Sequence, residues 1–271
     1  NEENLRPVPN LVQKDPDLAL FLVNNQCGVY CRFCTRKRKV GTEQMHISLE
    51  TINAGLEYLR ETSSVKDVLV SGGDPLLLED DRLEFILASL RAIQHITIIR
   101  IGSRVPCTLP MRITEKLASM IKRYHPVYIN THFNHPDEIT SEASEACNRL
   151  ADAGIPLGSQ TVLLKDVNDD PEIIKQLMYK LLQIRVKPYY LFQTDMTRGT
   201  NHFRTPIEKG LEIMQALIGH VSGLAVPTYA LDAPGGGGKI PLQPNYVQHL
   251  GRQLIFQNYC GETCFYDNPP N

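Results

Sequence analysis

The sequence lacks an excess of either charge: 28 Lys and Arg against 30 Asp and Glu leave a net charge of −2. That removes the bulk electrostatic case for nucleic acid as a partner. No apolar run approaches the roughly 20 residues of a membrane-spanning helix, so no membrane partner is expected. No secretory signal pattern is read. The 7 cysteines are odd in number in a long chain, which argues against a disulfide framework. Reduced thiols lead to a cytoplasmic expectation. No linker interrupts the pattern of elements. The chain opens on Asn1 rather than Met and is expected to be part of a longer protein. Its 271 residues suffice for one large α/β domain or two small ones.

What is present is an alternation of short apolar runs with helical patterns, the signature of βα units around a parallel sheet. Strands are predicted at Ala19–Val23, Val68–Val70, Ile96–Ile101, Val127–Asn130, Leu157–Leu164 and Tyr189–Gln193. Helices are predicted to open at Ser48, a good N-cap, near Thr114, at Thr140, and at Asp170-Pro171, an N-cap followed by proline at the first helical position. A further one opens at Thr205-Pro-Ile-Glu208, read as a capping box. Leu83, Ile86, Leu87 and Leu90 form an apolar helical stripe, and Gly154 suits a left-handed helix end. Six such units end near Gly219, short of the eight in a full barrel. The fold class expected is therefore α/β, a partial (β/α)6 TIM-like barrel. It would occupy residues 1–220, with a C-terminal extension, 221–271, in the same structural unit.

Cys27, Cys31 and Cys34 form the run C-G-V-Y-C-R-F-C directly after the first strand. A cubane iron–sulfur cluster has four irons and normally takes four thiolates. Three ligands in one loop leave the fourth iron open to another molecule. Structural zinc would want a fourth nearby ligand, and the next cysteine is Cys107. Cys107 and Cys147 read as packing residues.

Active sites of barrels lie at the C-terminal ends of the strands. The cysteine loop, Ser71–Asp74, Gly102–Arg104, His132, Gln160 and Asp195 all fall at such ends. Gly72-Gly73-Asp74 could let backbone approach a ligand, or could be an ordinary tight turn. Asp232-Ala-Pro-Gly-Gly-Gly-Gly-Lys239 lacks the phosphate-loop spacing, and its lysine is either solvated or a Schiff-base former. Asp195 and Asp232 read as surface acids or, if both face the site, as partners of a cationic group. Arg36 could fork onto a carboxylate. His132 and His135 could pair on a metal, although hydrogen bonding at a strand end suits them better.

These strings resemble the lysine 2,3-aminomutases, radical S-adenosylmethionine (SAM) enzymes that also use pyridoxal phosphate. The resemblance includes Phe21–Cys27, Cys31–Arg38, Val70–Pro75, Ile101–Arg104, Asn130–Pro136, His202–Pro206 and Asp232–Lys239. It implies a barrel of radical SAM type and a 4Fe–4S cluster on Cys27, Cys31 and Cys34. Gly72, Gly73, Asp74, Ser103, Arg104, His132 and Gln160 would then bind SAM. Lys239 would be the catalytic lysine, joined to pyridoxal phosphate as an aldimine. Arg36 would take the substrate carboxylate, and Asp195 and Asp232 its distal ammonium. The implied activity is an isomerase converting L-lysine to L-β-lysine through a 5′-deoxyadenosyl radical. The implied partners are a reductant such as flavodoxin or ferredoxin and further copies of the chain in a homo-oligomer. The alternatives are the same chemistry on arginine or glutamate, or a non-catalytic iron–sulfur electron-transfer protein.

Two departures stand out. The family tends to carry an Arg-Tyr-Pro-Asp-Arg stretch facing the cofactor phosphate, where this chain has Lys14-Asp-Pro-Asp-Leu18. Leu18 cannot bind phosphate. Asp170 stands where relatives have a cysteine of an intersubunit zinc site, so that zinc is not expected.

Overall fold

The computed structural model describes residues 7–234 and 237–269, and only the backbone of Lys14. Nine of its strands form one sheet in chain order. They are β1 (Leu11–Asp15), β2 (Leu18–Asn24), β3 (Asp67–Gly72), β4 (Ile98–Gly102), β5 (Val127–Thr131), β6 (Leu157–Leu163), β7 (Val186–Gln193), β8 (Thr228–Asp232) and β9 (Lys239–Pro241). β2 to β8 pair parallel with their neighbours, while β1 and β9 are antiparallel edges. The six helical crossovers carry α1 (Leu49–Glu61), α2 (Asp80–Arg91), α3 (Val105–Thr108) with α4 (Glu115–Lys122), α5 (Ser141–Asp152), α6 (Pro171–Gln183) and α7 (Ile207–Leu217). This is the expected partial barrel, extended by a seventh parallel strand, β8, that the sequence reading left outside the repeat.

Alternation along the strands assigns the two faces of the sheet. In β3, Val68 and Val70 are fully buried, while Asp67, Leu69 and Ser71 are half-buried. In β6, Leu157, Ser159, Thr161 and Leu163 are buried and the residues between them are not. The buried face packs against the helices, whose apolar stripes form one continuous core with it. Leu83, Ile86, Leu87 and Leu90 of α2 lie in that core, as their spacing predicts. Each such side chain contributes about 1.5–3 kcal/mol by leaving water. The half-buried face lines the open barrel.

The helix starts follow their capping residues. Ser48 and Thr51 form a reciprocal capping box at α1. Thr114 and Thr140 accept from the third helical N–H of α4 and α5. Asp170 caps α6 ahead of Pro171. Gly154 follows α5 at φ 79°, the left-handed conformation expected. The box expected at Thr205 does not form: α7 starts after Pro206 with no side-chain cap. Thr205 is drawn instead into a buried knot. Its carbonyl accepts from Gln193 Nε2 at 2.7 Å, and Gln193 Oε1 accepts from Tyr229 Oη at 2.7 Å. A buried amide needs those partners more than an exposed helix end needs its cap.

Past β9, β10 (Val247–His249), β11 (Gln253–Gln257) and β12 (Thr263–Asp267) form a small antiparallel sheet. Tyr259 from this region lies edge-on to His220, with ring centroids 5.4 Å apart. Among the described residues, no helix is long and apolar enough to cross a membrane.

Candidate active site

Cys27, Cys31 and Cys34 lie on the loop between β2 and α1, each partly buried. Successive tight turns shape this loop: Cys34 N–H donates to the Cys31 carbonyl at 3.1 Å, and Val40 N–H to the Arg36 carbonyl at 3.0 Å. The β3 exit is welded to the strand leading into it. Gly73 N–H donates to the Asn24 carbonyl at 2.6 Å, and Asp74 N–H to the Gln26 carbonyl at 2.7 Å. A Cβ on Gly72 would meet the Asn24 oxygen at 2.1 Å, and one on Gly73 the Gln26 oxygen at 2.2 Å. The glycines therefore serve the approach of two backbones first, a reason the sequence did not reveal.

Asp74 is buried and bonded on several sides. Its Oδ1 accepts from Ser103 Oγ at 2.7 Å and Leu76 N–H at 3.1 Å, and its Oδ2 from Arg104 N–H at 2.8 Å. Burial pushes its carboxyl up, and these donors offset that only in part. Asp74 and Ser103 thus hold the β3 and β4 ends together. Arg104 reaches on, with Nη1 donating to Cys31 Sγ at 3.1 Å and Nη2 to Glu138 Oε1 at 2.6 Å. His132, just past the end of β5, hydrogen-bonds Gln160, which lies in the middle of β6 rather than at the strand end expected. Burial, helped by the Arg104 charge, depresses His132 to a pKa of about 4 despite that bond, so the ring is neutral near pH 7. His135 faces elsewhere and caps a 3-10 turn at Pro136–Glu138.

Arg36 donates to the Gly72 carbonyl at 3.5 Å, and its charge acts on Cys27 and Cys34. Its Nε is buried without a partner, as are Arg104 Nε and Asn130 Nδ2. Buried polar atoms left unpaired are costly, and unpaired donors at strand ends are open to a polar ligand. Sequence reasoning singled out neither Asn130 nor Glu138. Asn130 read as the last residue of a strand. Glu138 resembled any acid in a short acidic turn after a proline, Pro136-Asp137-Glu138.

On the other side, Asp232 and Lys239 are register partners in the β8–β9 pair, with Nζ 3.5 Å from Oδ1. Gly235 and Gly236, inside the loop noted in the sequence, lie outside the described residues. Lys239 Nζ lies 5.9 Å from the Phe192 ring centroid. Phe192 stacks on Tyr190, which meets Tyr189, at centroid spacings of 4.8 and 4.2 Å. Asp195 opens the loop from β7 to α7. That loop is laced to the cysteine loop. Arg32 Nη2 donates to His202 Nε2 at 3.2 Å, the Arg32 guanidinium lies 5.2 Å from the Phe203 ring centroid, and Lys37 Nζ donates to the Gly199 carbonyl at 2.9 Å. Leu18 starts β2 opposite Asp67, whose carboxylate is forked by Arg100 at 2.9 Å.

The donor set suits a cationic cluster. Burial pushes Cys27 up to about 12, with Asp74, Cys34 and Cys31 adding to it, and burial raises Cys34. Bare thiolates are thus disfavoured here, and metal binding would supply the missing positive charge while releasing protons. The aromatic wall beside Lys239 would suit a planar ring.

Residues 21–177 match the family described as the Radical SAM superfamily, and residues 214–271 that described as Lysine-2,3-aminomutase. The chain is 51% identical to an L-lysine 2,3-aminomutase of Clostridium subterminale, over 100% of this chain and 65% of that protein. It is 48% identical to a glutamate 2,3-aminomutase of Clostridioides difficile, over 94% of this chain and 60% of that protein. The chain thus spans less than two thirds of the length of these relatives. The crystal structure of a radical SAM methyltransferase from Sphaerobacter thermophilus superposes with a TM-score of 0.57 at 17% identity, over 83% of this chain and 69% of that one. That likeness concerns the fold. Three cysteines on the β2–α1 loop of a partial barrel, with 51% identity to a curated relative over the whole of this chain, make this chain a member of the lysine 2,3-aminomutase family within the radical SAM superfamily.

Proposed function

We propose that the chain is the catalytic barrel of an isomerase that moves the α-amino group of L-lysine to its β-carbon, giving L-β-lysine. The observation that carries this reading is the lacing of the cysteine loop to the β7–α7 loop. It ties the loop that carries the candidate cluster ligands to the loop that follows Asp195, and Asp232 and Lys239 pair on the neighbouring β8–β9 edge, which supports one shared site.

In this reading Cys27, Cys31 and Cys34 hold a 4Fe–4S cluster. Gly72, Gly73, Arg104, His132 and Gln160 line SAM, while Asp74 and Ser103 fix the backbone around it. Lys239 bonds pyridoxal phosphate against the Tyr189–Tyr190–Phe192 wall. When bound, these groups supply a hydrogen-abstracting radical and an electron sink that lets nitrogen migrate. The chain's own residues bind, orient and exclude water. Arg36 offers its unpartnered Nε to the substrate carboxylate. Asp195 and Asp232 take the distal ammonium, and Asp232 already attracts an ammonium, that of Lys239. Neutral His132 hydrogen-bonds without adding charge beside Arg104. Two acids would repel a distal carboxylate, which favours lysine over glutamate. A flavodoxin- or ferredoxin-type reductant, a homo-oligomeric assembly and a cytoplasmic setting belong to the same proposal.

The test is an anaerobic assay of reconstituted protein with reductant, SAM, pyridoxal phosphate and lysine. β-Lysine is expected. A β-amino product from arginine or glutamate alone, with SAM cleavage intact, would replace the substrate. No SAM cleavage would favour an electron-transfer protein. Borohydride treatment with pyridoxal phosphate should label Lys239, and labelling elsewhere would remove its role.

A further inference from the structure

We infer that Glu138 and Arg104 form a hydrogen-bonding arm that raises the reduction potential of a cluster held by Cys31, with Glu138 acting as a positioning residue through Arg104. The inference rests on the reading that the three cysteines hold a 4Fe–4S cluster.

The arm is anchored at both ends. The Arg104 backbone N–H is tied to Asp74 at 2.8 Å. Its guanidinium divides between Cys31 Sγ at 3.1 Å and Glu138 Oε1 at 2.6 Å, and packs 5.3 Å from the Phe33 ring centroid. The second oxygen of Glu138 accepts from Asn134 N–H at 2.6 Å. Asn134 is itself fixed: its side-chain oxygen accepts from Val162 N–H at 2.9 Å and its carbonyl from Asn168 Nδ2 at 2.7 Å. The Arg104 and Glu138 side chains are 17% and 28% exposed, so solvent screens the arm weakly.

A donor on a ligating sulfur withdraws electron density from the cluster and stabilises its reduced form. The guanidinium charge acts in the same direction, because reduction adds negative charge nearby. Cys34 receives a backbone N–H, from Arg36 at 3.3 Å, whereas Cys31 receives the charged guanidinium donor. Glu138 pulls in two opposed ways. Its charge alone would lower the potential. By orienting Arg104 it supports the bond that raises it. The sign of its removal separates the two.

The test is an EPR-monitored redox titration of the reconstituted full chain, with iron and sulfide content measured on each variant. Arg104→Met is expected to shift the midpoint to more negative values, and Glu138→Ala to shift it the same way by less. An unchanged midpoint in R104M overturns the inference. A raised or unchanged midpoint in E138A overturns the positioning role. Arg104→Lys keeps the charge but not the fork, so a wild-type midpoint there assigns the effect to charge and overturns the hydrogen-bonding arm. If R104M takes up no cluster, E138A and R104K decide. If the wild-type chain takes up no four-iron cluster, it is the reading beneath that fails.

Discussion

Asp74, at the end of β3, is buried and accepts from Ser103, Leu76 and Arg104. Asp232, at the end of β8, is 40% exposed and meets Lys239, 43% exposed, at 3.5 Å. One carboxylate is consumed by the fold, and the other keeps most of its bonding capacity for something that arrives. The difference suits a mouth in which one corner is rigid before any ligand binds and the other is completed by its ligands.

The largest effect should follow from breaking the rigid corner. Asp74→Ala strands a hydroxyl and two backbone N–H groups in a buried setting, at about 1–3 kcal/mol for each unsatisfied group. A loss of about 3 kcal/mol or more is expected in urea denaturation of the cluster-free chain, together with poor iron retention. A loss near that of an exposed acid would mean that the corner repacks.

His132 offers a pH-dependent version of the same contrast. Its folded-state pKa, about 4, lies below the ordinary 6.5, so between these values the unfolded chain binds the proton and the folded chain does not. The stability this group contributes is complete above pH 6.5 and is lost as pH falls toward about 4. Urea midpoints across that window should fall with pH more steeply for the wild-type chain than for His132→Asn. Parallel curves would show that the ring titrates normally.

Much of the rigid corner was legible in the sequence, because its elements are local. The strands β2 to β7, the caps at Ser48 and Asp170, the helix starts near Thr114 and Thr140, and the loops at strand ends follow from short patterns. What stayed hidden depends on distant partners. Gly73 packs on Gln26, Glu138 on Arg104, and Thr205 is claimed by Gln193 from another element. β8 escaped because its five residues, Thr228–Asp232, end on an acid and are followed by Ala233-Pro234 and a glycine run, which disguises a parallel strand.

The joint between the two corners should be far weaker than the rigid one. Arg32→Ala removes the hydrogen bond to His202 and the contact with the Phe203 ring, exposed interactions worth about 1 kcal/mol together. Its clearer consequence should be faster loss of iron from reconstituted protein under a chelator, since the cysteine loop loses a tie to the barrel. Unchanged iron release would show that Lys37 and the backbone turns hold the loop unaided.

The smallest stability effect belongs to the recruitable corner, and its smallness is the informative result. An ion pair with both partners more than a third exposed contributes about 0–1 kcal/mol. Asp232→Asn and Lys239→Ala should therefore leave the urea midpoint nearly where it was. Function should part company with stability here. D232N should weaken lysine use while sparing SAM cleavage, and K239A should abolish borohydride-fixed cofactor. The comparison breaks if either variant unfolds as readily as D74A, because the β8–β9 edge would then be part of the frame. It sharpens if the D232N variant keeps its fold, cleaves SAM and fails only with substrates that carry a distal cation, because the exposed acid then acts on the ligand alone.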